Sequence, residues 1–94
     1  MNVRIRFFSS LREAANLEEL ALTIEDGTTI SMLLEEILRK CGSNLRNALL
    51  DRDGRLKSYI SVLLNGRSIS FLQGLDTIVH DGDVVDMLPP TSGG

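Results

Sequence analysis

Positions Ile30, Leu33, Leu34, Ile37, Leu38 and Cys41 fall at i, i+3, i+4, i+7, i+8 and i+11, which puts six apolar side chains on one face of a helix. This is the strongest periodic signal in the 94 residues, and nothing else in the chain could cover a sheet. Thr28, Thr29 or Ser31 can supply the N-cap oxygen, and Gly42 stands where a left-handed C-terminal residue is needed. Glu35, Glu36, Arg39 and Lys40 take the wet face, with Glu35–Arg39 and Glu36–Lys40 in the favourable i, i+4 order. Burial of the large aliphatic side chains at roughly 2 kcal/mol each makes this helix the main filler of a small core.

The segments around it read as strands. Val3, Ile5 and Phe7 alternate with Arg4, Arg6 and Phe8, predicting a first strand over 3–8 with one buried face and an aromatic breaking the polar one. Ser9 and Ser10 offer caps for a helical turn from Leu11 to Ala15, which Asn16 can end. Leu20, Leu22 and Ile24 predict a second strand, antiparallel to the first, closed by Asp26-Gly27. After the long helix, Ser43 can cap a short helix to Leu50 with Leu45, Ala48 and Leu49 inward. Tyr59 to Leu64 predicts a third strand, Asn65-Gly66 a two-residue hairpin turn, and Arg67 to Ser70 its short return. Residues 71–79 fit an irregular connection with a 3₁₀ turn, and Val84 to Leu88 the last strand, with Val85 and Met87 facing the helix. One helix then covers one face of a mixed sheet in an α+β domain, with the first and last strands as parallel central neighbours.

The last strand runs into Pro89-Pro90-Thr91-Ser92-Gly93-Gly94. Two prolines fix an extended path without amide donors, and two glycines carry the carboxylate past no side chain, so such an end can thread a narrow channel. The remaining residues offer no competing chemistry. His80 is the only histidine, stands beside a turn, and has no partner in a catalytic motif. Asp51-Arg52-Asp53-Gly54 begins like a calcium loop but lacks its downstream spacing and closing glutamate, so no metal site is expected. There is no phosphate-binding glycine loop and no basic-aromatic patch.

Charge and cysteine content narrow the surroundings. A net charge of −3 argues against nucleic acid or an anionic membrane as the partner. Lone Cys41 excludes an internal disulfide, fits a reducing compartment, and lies on the helix stripe as a structural thiol. No apolar run approaches a membrane span, and Met1-Asn2-Val3-Arg4 lacks the layout of a signal peptide; a cytoplasmic protein is expected.

Several stretches together carry a resemblance: Arg6-Phe7-Phe8 with Leu11-Arg12-Glu13, Asp26-Gly27-Thr28-Thr29-Ile30, Leu64-Asn65-Gly66, Asp81-Gly82-Asp83 with Val85, and above all the closing Pro89 to Gly94. The chain resembles the ubiquitin-like sulfur carriers of the MoaD/ThiS family, nearest to the small subunit of molybdopterin synthase. The resemblance covers nearly the whole chain and departs at Gly42 to Tyr59. It implies a β-grasp domain over 1–88 and a flexible tail over 89–94. Thiamin-pathway carriers share the diglycine but usually lack the Pro-Pro element.

The resemblance also implies a mechanism. An E1-like activating enzyme, using ATP and Mg²⁺, would adenylate Gly94, and sulfur transfer would convert it to a thiocarboxylate. In a synthase, Pro89, Pro90, Thr91, Ser92 and Gly93 would thread into the large subunit and deliver that sulfur to a pterin precursor. The domain itself would be non-catalytic and bind no cofactor. By alternation, the open sheet face should show Arg4, Arg6, Phe8, Ser61, Leu63, Asp86 and Leu88 as the partner-binding surface, with an apolar centre and charged edges. The alternative is a protein modifier joined through Gly94 to lysines of target proteins; a third reading is a bare interaction module.

Overall fold

The computed structural model of the chain describes residues 1–90. Strands β1 (Asn2–Phe7), β2 (Glu19–Thr23), β3 (Ser61–Leu64), β4 (Arg67–Ser68) and β5 (Val84–Leu88) form one sheet in the order β2-β1-β5-β3-β4. Helices α1 (Ser10–Ala15), α2 (Ile30–Cys41) and α3 (Ser43–Leu49) and two 3₁₀ turns, at Ile69–Phe71 and Gly74–Asp76, complete it. β5 pairs parallel with β1 and antiparallel with β3, so the two strands expected at the centre are there.

The core forms where the two periods meet. Val3, Ile5, Phe7, Val85 and Met87 leave the inner face of the central strands, and all are buried. Ile30, Leu33, Leu34, Ile37 and Leu38 come down on them from α2, also buried, and Leu11, Leu45 and Leu49 close the sides from α1 and α3. Cys41, the last stripe position, is only half-buried. Thr29 caps α2 by accepting from the Met32 amide at 3.2 Å, and Gly42 ends it at φ 84°. That left-handed φ favours glycine.

Local chemistry departs from the sequence reading at the helix ends and wet faces. Ser9 occupies the N-cap of α1 at φ 52° but makes no side-chain capping bond. Ser43 does not cap α3: Gly42, which ends α2, is also the α3 N-cap, so the two helices share a junction without room for a separate cap residue. On α2, Arg39 donates to Glu36 at 2.7 Å, an i, i+3 pair in place of the expected Glu35–Arg39 and Glu36–Lys40 pairs. β1 stops at Phe7, β2 begins one residue before Leu20, and β3 begins at Ser61 with Tyr59 exposed ahead of it.

The turns fix where β5 starts. Asn65 and Gly66 take φ of 51° and 87°, the pair of left-handed residues a two-residue hairpin needs. The Asn65 side chain then bonds sideways, donating to Asp83 Oδ1 at 3.0 Å and accepting from the Val84 amide at 2.9 Å. Asp81 Oδ1 accepts from the Asn2 amide at 2.7 Å, tying the last turn to the start of β1. Both contacts hold the start of β5, one against the start of β1 and the other against the β3–β4 turn.

Candidate functional site

Because β1 and β5 run parallel, both end at the same edge of the sheet, and β3 begins there. Phe7 pairs with Met87, the Phe8 amide donates to the Met87 carbonyl at 3.2 Å, and Ser61 stands opposite Leu88. Leu88 therefore leaves the middle of the sheet between Phe8 and Ser61. Pro89, half-buried, and Pro90, exposed, follow it. The remaining tail positions expected to matter, Thr91, Ser92, Gly93 and Gly94, lie outside the described residues.

Strand register sets the open face. Glu19, Arg6, Asp86, Leu63 and Ser68 line up across the five strands as successive cross-strand partners. Arg6 and Asp86, directly opposite on the two central strands, make a two-pronged pair, Nε to Oδ1 at 2.6 Å and Nη2 to Oδ2 at 2.8 Å. The guanidinium covers the carboxylate so fully that Asp86 is 7% exposed, and it also stands 5.7 Å from the Phe8 ring centroid. Alongside, Arg4 donates to Glu19. Hydrogen bonding to these carboxylates raises the pKa of both arginines, and the bond from Arg4 lowers that of Glu19.

Arg4, Arg6, Phe8, Ser61, Leu63, Asp86 and Leu88 thus share one face, but its layout corrects the expected apolar centre with charged edges. The ion pair occupies the centre, because central-strand register places the two charges opposite each other. Leu63 lies beside it, and Phe8 and Leu88 lie on its tail side. Glu19 belongs to the same face and is missing from the expected set. Extending the β2 alternation one residue before Leu20 would have found it, since Glu19, Ala21 and Thr23 oppose Leu20, Leu22 and Ile24.

Residues set aside as non-catalytic stand in plain surroundings. His80 is exposed, with its ring 4.0 Å from Asp83. Asp51 Oδ1 accepts from the amides of Asp53 and Arg55 at 2.9 and 3.0 Å, so its carboxylate shapes a turn. Burial raises the Cys41 pKa, which keeps it a thiol. Among the described residues, no group of His, Cys, Asp and Glu is placed to hold a metal, and no helix is long and apolar enough to cross a membrane. A concavity of about 810 Å³ lies on the helical layer between α2 and α3, lined by no residue of the open sheet face and missed by the sequence reading. Its walls come from segments distant in sequence, so periodicity carries no sign of it.

A five-stranded mixed sheet with parallel central strands, a helix across one face and a terminus leaving its middle defines a ubiquitin-like β-grasp domain. The profile of the ThiS family matches residues 5–94. Over the full length of both chains, this protein is 32% identical to small archaeal modifier protein 3 of Haloferax volcanii. It is 30% identical to the sulfur carrier protein CysO of Mycobacterium tuberculosis over 70 residues, 72% of this chain and 74% of that one. The solution structure of small archaeal modifier protein 1 from Methanosarcina acetivorans superimposes with a TM-score of 0.84 at 32% identity, covering 99% of this chain and 96% of that one. The chain belongs to the ThiS family of ubiquitin-like sulfur carriers and modifiers.

Proposed function

We propose that this protein is a sulfur carrier whose reactive group is the Gly94 carboxylate. The observation that carries the reading is the exit of the chain from the central strand β5, at the corner formed by Phe8 and Leu88, with the Pro89-Pro90 stalk directly after it. A carboxylate is a poor acyl donor until its oxygen becomes a good leaving group. An E1-like partner, using ATP with Mg²⁺, supplies that step: a Gly94 oxygen attacks the α-phosphate, pyrophosphate leaves, and an acyl-adenylate forms. A hydrosulfide equivalent then adds to the acyl carbon and AMP departs, leaving a thiocarboxylate. The domain supplies recognition, through the Arg6–Asp86 pair and the flanking Phe8, Leu63 and Leu88. Delivery of the sulfur to a pterin precursor, with the tail inserted into the large subunit of molybdopterin synthase, is the destination that the proline stalk and slender diglycine end fit best.

A second reading is favoured by the full-length similarity to small archaeal modifier protein 3. In it, a lysine amine of a target protein attacks the same activated Gly94 carbonyl and forms an isopeptide bond. Both readings use one adenylation step. That step is tested by ATP–pyrophosphate exchange with the activating enzyme of the same cell: exchange should depend on this protein and fall to background when Gly93 and Gly94 are deleted. Undiminished exchange with that variant overturns both readings. Peptide mapping of cellular proteins then separates them, since Gly94 remnants on lysines belong to the modifier alone.

A further inference from the structure

We propose that the groove on the helical layer is a second docking surface, which takes a leucine-rich segment of a partner protein bearing carboxylates. The groove encloses about 810 Å³, and no residue of the open sheet face lines it. Its floor is apolar: Leu34 and Leu38 from α2, Leu50 and Leu56 from the two ends of the Asp51 turn, and Leu75 from the second 3₁₀ turn. Leu75 is 38% exposed, so the floor reaches water. A polar ligand would leave these side chains wet, whereas an apolar segment would cover them.

The rim decides the charge of that segment. Arg39, Arg46 and Arg55 stand around the floor against one acid, Glu35. Arg39 is engaged by Glu36, but Arg46 and Arg55 make no ion pair among the described residues. In a chain with 13 acidic and 10 basic residues, two uncommitted arginines beside an apolar trough favour an acidic partner here while the rest of the surface repels it. Nucleic acid fits less well, because the groove lining holds no aromatic side chain on which a base could stack. This surface does not depend on Gly94 chemistry, and with the sheet face free it would let a second partner bind together with an activating enzyme.

The test uses a fluorescein-labelled synthetic helical peptide with leucine on one face and glutamate on the other, and a control with lysine for glutamate. Fluorescence anisotropy should give binding of the glutamate peptide that weakens with salt and falls about tenfold or more in the double variant Arg46→Glu, Arg55→Glu. Both arginines are exposed, so this variant should keep its thermal midpoint. Leu75→Asp, which removes floor and not rim, should weaken binding independently. Amide shifts in a ¹⁵N-labelled sample should fall on Ser31, Leu38, Arg46 and Leu56. Shifts on Phe8, Leu63 and Leu88 instead, equal binding of the lysine peptide, no binding, or displacement of the peptide by a short RNA would each overturn the proposal.

Discussion

Asp86 shows how one register position sets both stability and surface character. Its carboxylate is nearly covered yet held by Arg6, so removing Arg6 leaves a desolvated charge unpaired, whereas removing the exposed Arg4 does not. Arg6→Ala should therefore lower the thermal midpoint clearly more than Arg4→Ala, and a double-mutant cycle with Asp86→Asn should show strong coupling. The Arg4–Glu19 pair makes a different prediction, because the Glu19 pKa is lowered in the fold. A depressed carboxyl contributes stability above its unfolded pKa and loses it as pH falls through the folded value. Midpoints of the wild type and Glu19→Gln should thus differ at neutral pH and converge in acid below the carboxylate range. For Cys41 the sign is reversed: burial favours the neutral thiol, so at mildly alkaline pH its alkylation should be slower than that of a free cysteine peptide.

At the scale of elements, α2 is the piece on which the sheet depends. Ile37 is fully buried, and Ile37→Ala should cost about 3 kcal/mol in urea unfolding, while truncation of exposed Met32 on the same helix should cost almost nothing. Gly42→Ala should cost about 1–3 kcal/mol from backbone strain alone, since φ 84° with ψ −167° is a region nearly reserved for glycine while nothing lies within 4 Å of the missing side chain. These elements were legible because each has an uninterrupted period: the α2 stripe, the Val3-Ile5-Phe7 alternation, the Asn65-Gly66 turn. What escaped was decided by competition among close alternatives along the chain and, for Asp86, by a neighbour distant in sequence. Competition among possible acid–base pairs on α2 went to Glu36–Arg39, Ser43 lost its cap to a shared helix junction, and Asp86 became buried only because Arg6 stands across from it. The open face could be written down by alternation, but its charged centre needed the register.

For the whole molecule, the parallel pairing of β1 and β5 is the consequence that matters, because it brings the last strand to the middle of the sheet and its end to an apolar corner. In the proposed reading, a partner docked on the sheet face meets the chain where it leaves β5, while the groove on the helical layer lies apart from that face. The proposed conversion of Gly94 to a thiocarboxylate is open to intact-mass spectrometry of the protein from its native cell. A fraction should carry an oxygen-to-sulfur mass gain, located at Gly94 by fragmentation and absent when the activating enzyme is deleted. A terminal carboxylate without that gain in cells that retain the enzyme, together with Gly94 remnants on lysines, would contradict the carrier account.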